Sequence, residues 1–311
     1  MLIVVLLYVV PLSILAQQVT ANRQQKFPKD VPAGNYSAIT PLGNDRYAIV
    51  SDKTTDGFYV FHISIDSLSG RILSVANEGF QPSGRPNRDQ EGIAFRGSTA
   101  TLFISGEADN QVLEYNLNGT PTGNRLCVPP SFQQLDRNHG LEALCYDNEA
   151  CYFYTIAECP AKGDSLLRLT AFDDTGLMRC QYAYALDTIP QKRRGMMLNG
   201  VSDVCSLGGG RLIVLERTLR VPPLKIGSYA DCRLYLVHPQ NDLMLHKKLI
   251  YRFRTRINLL RRNFANYEGL CLAHRLKDGR LVLLLVADSQ NRYGNVLRDW
   301  FKTIVISDDG L

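Results

Sequence analysis

Ten residues of this chain are typed and spaced so that they could act on one centre. Ser37, Glu91, Glu142, Ser202 and Glu268 each open a short apolar run, and Asp52, Glu107, Glu158, Glu216 and Asp288 each close the apolar run that follows. Every one of these side chains is an oxygen donor. An oxygen-only set suits a hard cation, and Ca²⁺ accepts about six to eight oxygens in irregular geometry. Carboxylates held about 6 Å apart repel by roughly 3 kcal/mol per pair at an effective dielectric near 20. The pattern therefore predicts a divalent ion held by Ser37, Glu91, Glu142, Ser202 and Glu268, or carboxyls that keep their protons. A simpler role, capping strand amides or holding water, fits the same residue types.

Basic residues flank these acids. Arg88 precedes Glu91, Arg137 and His139 precede Glu142, and Arg217 follows Glu216. A metal, acids and guanidinium groups at one mouth are what an anionic ester, above all a phosphate, requires. On that reading Glu107, Glu158 or Glu216 is the general base, and Arg217 offsets developing charge. Arg88, Arg137, His139, Asp52 and Asp288 are the candidate substrate-binding residues. The sequence has no G-x-S-x-G elbow, no P-loop and no H-E-x-x-H, so nothing points to those chemistries.

The elements that would position such a set are written in the repeats. Each copy is an apolar run, a turn rich in Gly, Asn or Asp, and a second apolar run, which is a hairpin pattern. The fifth copy shows it plainly: Glu268 to Ala273, a polar link, then Leu281 to Asp288. Two further runs with clearer alternation follow the earlier hairpins, as outer strands with one wet face should. Four strands make a propeller blade. The expected fold is all-β: a single β-propeller of four-stranded antiparallel blades, five in number, with six as the alternative. The last blade lacks one strand, and the segment Phe27 to Tyr36 is the expected closing strand, which removes the open edge. First strands line a propeller axis, so Ser37, Glu91, Glu142, Ser202 and Glu268 form a ring. The ends of the second strands form an outer tier at the same mouth.

With 45% hydrophobic and 21% charged residues, the chain has a core to bury and is not a disordered polymer. Its net charge of +5 is too mild to mark a nucleic-acid binder. Leu2 to Leu15 is nearly all apolar and ends beside Ala16. That stretch is short of the roughly 20 residues a membrane span needs and reads as a signal peptide over residues 1–16. A secreted or periplasmic monomer follows, with no nucleic-acid partner and no membrane span after cleavage. Residues 27–311 form the single domain.

The eight cysteines have no zinc-like spacing. Cys145, Cys205 and Cys271 each lie three residues past a ring position and read as core thiols. Cys145 and Cys151 flank a turn and could pair across it. Lys247 to Arg256 alternates basic with apolar residues and reads as an outer strand with a basic wet face.

The ordered series Ser51-Asp52, Asp89-Gln90-Glu91-Gly92, Ser105-Gly106-Glu107, Gly140-Leu141-Glu142, Leu215-Glu216-Arg217, Tyr267-Glu268-Gly269 and Ala287-Asp288-Ser289 resembles the phytase-like propellers, the "esterase-like activity of phytase" family. The resemblance implies an exported propeller that hydrolyses esters or phosphoesters of small molecules. A more distant similarity is to calcium-dependent apyrases, five-bladed propellers with axial metal ligands in the order Ser, Glu, Glu, Ser, Glu. That order falls here on Ser37, Glu91, Glu142, Ser202 and Glu268. A calcium-stabilised module that binds glycan or peptide without catalysis, and a lactonase-like hydrolase, are the rival readings.

Overall fold

A computed structural model describes residues 19–29, 31–32, 34–130, 132, 140–189, 195–240, 242–257, 263–290, 299–309 and 311. The signal-peptide reading at 1–16 lies outside the described residues, as do Arg137 and His139.

Each repeat folds as expected, the two apolar runs pairing antiparallel as a hairpin and the outer runs continuing the meander. The chain forms five sheets, which are the five blades of one propeller. The inner strands of blades 1 to 5 are Tyr36–Gly43, Gln90–Arg96, Leu141–Asp147, Met196–Gly208 and Asn266–Arg275. The second strands are Arg46–Ser51, Thr101–Gly106, Tyr152–Ala157, Arg211–Val221 and Leu281–Asp288. The turn within blade 4 is built from Gly208, Gly209 and Gly210, whose φ values of 91°, 63° and 79° favour glycine.

Blade 5 is closed from the N-terminus, but by residues upstream of the expected segment. Val19–Ala21 and then Gln25–Lys26 pair antiparallel with Trp300–Ile306. Phe27 does not extend a strand; its ring stacks on Phe301 at 4.0 Å and fills the space between blades 5 and 1. Its N–H still reaches the Asp299 carbonyl at 3.4 Å, where the pairing ends.

Almost all of the core lies between blades rather than within one. Five large clusters of buried side chains each join two neighbouring blades: 1 with 2, 2 with 3, 3 with 4, 4 with 5, and 5 with 1. Fully buried Phe58, Phe61, Phe153, Phe172 and Phe301 belong to them, each contributing about 1.5–3 kcal/mol by area removed from water. Cys145, Cys205 and Cys271 are buried as free thiols at one level of the inner strands. Burial pushes the thiols of Cys145 and Cys271 up. Cys151 sits exposed in its turn with φ 57°, so the cross-hairpin disulfide is absent.

Candidate functional site

The five ring positions share one backbone device. In blade 1 Tyr36 pairs with Ser51 and Ala38 with Val50, which leaves Ser37 as the extra residue of a β-bulge. The same slip isolates Glu91, Glu142, Ser202 and Glu268 in blades 2 to 5. A bulge re-aims the side chain it carries and increases local twist. Gly92 and Gly269, just after two of these acids, are required by crowding. A Cβ on Gly92 would lie 2.8 Å from the Leu144 side chain of blade 3, and one on Gly269 would lie 3.0 Å from Ala38 Cα of blade 1.

The bulge also fixes the outer tier. Across from the residue before each bulge stand Ser51, Gly106, Ala157, Glu216 and Ala287. The next residue in each strand is Asp52, Glu107, Glu158, Arg217 and Asp288. These five line a cleft of about 420 Å³ together with Glu91, Glu142 and Glu268. The outer tier is therefore four acids and one arginine.

Glu216 is corrected by one residue: it points away from the mouth, fully buried, and accepts from Tyr184 at 2.8 Å and from Lys247 at 2.5 Å. A single-residue step along a strand exchanges its two faces, and the carboxylate at 216 masked the slip. Arg88 is corrected too. It is buried behind the mouth, with bonds to Asp109 at 2.7 and 2.9 Å, Tyr115 at 3.0 Å and the Gln111 carbonyl at 2.9 Å. Its donors brace blade 2 and do not face a ligand.

Arg217 reaches across the mouth. One Nη donates to Glu158 of blade 3 at 2.7 Å; the other donates to Asn266 of blade 5 at 2.8 Å and to Glu268. Asn266 in turn donates to Glu268 at 2.7 Å. Asn35 and Asn266, both lining the cleft, each lie two residues before a ring position, as does Asp89. Sequence reasoning missed the two asparagines, although the repeat that aligned the acids carried them in phase. Gly140, at the matching position of blade 3, donates its N–H to Glu107 at 2.8 Å.

Among the described residues, seven carboxylates line this cleft against two cations, Arg217 and Lys53. The electrostatics follow. Burial pushes the Glu91 carboxyl well above the usual range, and Glu268, Asp52 and Glu107 add to it. Burial, Glu158, Glu91 and Glu268 do the same for Glu142. Burial and Glu268 hold Asp288 high, and Glu268 itself is raised by burial despite Arg217. Acids this close favour a proton or a cation.

The residues present fit a hard divalent ion. Among the described residues Ser202 Oγ and Asp52 Oδ1 are buried without a hydrogen-bond partner, and the other donors are carboxylate oxygens and the Ser37 hydroxyl. Ser37 hydrogen-bonds Glu91. Among the described residues, Asp52, Asp89 and Glu91 have carboxylate oxygens that all lie within 4.8 Å of one another. Lys53 lies 2.6 Å from Asp52 and 3.3 Å from Asp89, an ammonium at the rim of that trio.

With this geometry in view, the sequence match is decisive. Residues 31–290 match the phytase-like family, described as "esterase-like activity of phytase". The chain belongs to that family. No curated protein matches this phytase-like propeller. Among solved structures, it is similar to a tail fibre of Staphylococcus aureus phage P68, at 12% identity and a TM-score of 0.47, covering 94% of this chain and 53% of that one. The phytase-like propeller thus spans about half of that tail-fibre chain. A luciferin-regenerating enzyme is similar at 8% identity and a TM-score of 0.46, covering 95% and 96% of the two chains. A streptogramin B lyase follows at 11% identity and 0.40, covering 92% and 99%. Likeness at this level says nothing of chemistry.

Proposed function

We propose that this phytase-like propeller is a Ca²⁺-dependent hydrolase of phosphate or other small-molecule esters, exported by way of residues 1–16. One observation carries the reading: among the described residues, seven carboxylates and two cations share one open cleft, a large excess of negative charge when all are ionised. Such a cleft repels an anionic ester and strains the apo fold, whereas a bound divalent ion relieves both. When bound, the ion would be held by Glu91, Glu142 and Glu268 with Ser37 and Ser202, and would supply Lewis acidity toward the ester oxygen and its attacking water.

The chain's own groups do the rest. Glu107, fixed by the Gly140 N–H, is the general base that takes a proton from water. Glu158 is held in place by Arg217. Arg217, with all of its Nη contacts to the protein, is a positioning residue: it sets Glu158 and Glu268 and softens their repulsion. Asp52 and Asp288 border the entrance on the blade 1 and blade 5 side. Among the described residues no helix is long and apolar enough to cross a membrane.

The test is turnover of p-nitrophenyl phosphate, p-nitrophenyl acetate and ATP, with Ca²⁺ and with EGTA. At least one is expected to be hydrolysed with Ca²⁺ and to fall to background with EGTA. Saturable Ca²⁺ binding without turnover of any of the three would overturn catalysis and leave a binding module.

A further inference from the structure

A second cleft lies on the outside of the ring, between blades 4 and 5, with a volume of about 920 Å³. Ligand clefts are commonly about 300–1,000 Å³. One wall is the outermost strand of blade 4, Lys247–Arg256, which presents Tyr251, Phe253 and Arg254. The other is the closing segment of blade 5, which presents Arg23 and Lys26, with Trp300 and Lys302 behind it. The described lining residues include four cations and no Asp or Glu.

Much of that charge is uncompensated. Arg23 and Lys26 are exposed, and among the described residues neither has an acidic partner. Arg252 and Arg254 share a single carboxylate, that of Asp231, at 2.6 and 2.5 Å. Trp300, 8% exposed, forms the apolar floor, and among the described residues its buried Nε1–H has no hydrogen-bond partner. A buried indole N–H normally finds an acceptor.

The cleft is thus rich in N–H donors and poor in acceptors, so its complement is a ligand dense in anionic and hydroxyl oxygens. The ring faces narrow the class. Lys26 lies over Trp300 at 5.8 Å and Lys302 over Phe253 at 5.5 Å. Single-stranded nucleic acid binds by laying bases on bare aromatic faces, and these two faces are already capped by ammonium groups. We propose that the groove between blades 4 and 5 binds an acidic oligosaccharide, one carrying carboxylate or sulfate groups on its sugar rings. The acids meet Arg23, Lys26 and Arg254, and ring hydroxyls meet the polar groups of Asn22, Gln24 and Asn263 that line the same cleft. The site lies apart from the acidic mouth and does not depend on hydrolysis there.

The test is titration of the full chain by fluorescence anisotropy with labelled probes: a heparin-derived hexasaccharide, an oligogalacturonate, maltohexaose and a thymidine oligonucleotide. One or both acidic sugars are expected to bind, and which one does distinguishes sulfate from carboxylate recognition. Maltohexaose is expected not to bind. Kd should rise about tenfold in the double variant Arg23→Glu, Lys26→Glu, whose side chains are exposed, with unchanged melting. Asn263→Ala should weaken binding and leave the salt dependence unaltered, since it removes an uncharged polar group from the cleft lining. Failure of both acidic sugars, tighter binding of the oligonucleotide, or affinity unmoved by the double variant would overturn the proposal.

Discussion

Arg217 and Glu158 meet across two blades, Nη2 to Oε1 at 2.7 Å, with both side chains nearly excluded from solvent. This pair stands where a fifth acid would otherwise complete the outer tier. It turns a cleft of like charges into one with an internal counter-ion, and it does so from a strand position one step beyond Glu216. Removing one partner of a buried ion pair usually costs more than the pair contributes, because a bare charge is left behind.

Arg217→Met is therefore expected to lower stability by about 3–5 kcal/mol in urea denaturation without metal. Added Ca²⁺ should recover part of that loss. Arg217→Lys should not restore the wild-type midpoint, since a single ammonium cannot reach both blades as the guanidinium fork does. A lysine variant as stable as wild type would remove Arg217 from its bridging role.

Glu142→Gln takes one charge out of the mouth. In EGTA it should raise the melting temperature, because burial and Glu158 already disfavour the charged form of Glu142. In saturating Ca²⁺ the sign should reverse, and calcium affinity measured by calorimetry should fall at least about tenfold. Equal shifts in both conditions would detach Glu142 from the ion.

The pH dependence follows from the same groups. Glu91, Glu142 and Asp288 have folded pKa values raised above the ordinary 4.5 for Glu and 3.8 for Asp, burial being the largest cause. Between those ordinary values and the folded ones the native state keeps more protons than the unfolded chain. Stability of the metal-free protein is present below the ordinary values and is lost as pH rises through the folded ones. The slope is about 1.4 kcal/mol per pH unit for each proton retained. Thermal melts in EGTA from pH 4.5 upward should fall, and Ca²⁺ should flatten the curve. A flat EGTA series would contradict the strained mouth.

Glu107→Gln and Glu216→Gln separate chemistry from architecture. The first should abolish turnover, about 10²-fold or more, with little change in melting. The second should unsettle the contacts to Tyr184, Lys247 and Arg233 and lower stability by about 1–3 kcal/mol, with kcat retained at temperatures where it is folded. The opposite assignment of effects would restore Glu216 to the site.

Asp203 offers a check on the fold alone. Its carboxylate accepts from the Val204 N–H at 2.8 Å and the Leu270 N–H at 2.6 Å, with a further bond from the Leu144 N–H. One side chain thus joins the inner strands of blades 3, 4 and 5. Asp203→Ala should cost about 1–3 kcal/mol for each amide left unpaired, read as a lower urea midpoint. An unchanged midpoint would mean that those strands close without it.

The repeats alone determined the propeller, the in-phase placing of Ser37, Glu91, Glu142, Ser202 and Glu268, and the nearness of the second-strand ends; they left six blades open beside five, and the five sheets closed that question. Strand period and turn chemistry are local, so they are written in consecutive residues. Tertiary structure decided what local pattern cannot carry. Whether position 216 or 217 faces the axis depends on a one-residue bulge, and both readings leave the same apolar runs. Arg88 looked like a ligand-binding residue by its distance from Glu91, and only packing showed its donors consumed by Asp109 and Tyr115. A missing strand in the last blade points to the N-terminal segment but does not fix the register, and the ladder on Trp300–Ile306 is filled by Val19–Ala21 and Gln25–Lys26 rather than by Phe27 to Tyr36. Faces, registers and partners arise where distant segments meet, and a carboxylate beside a guanidinium in sequence does not record which of them the fold turns inward.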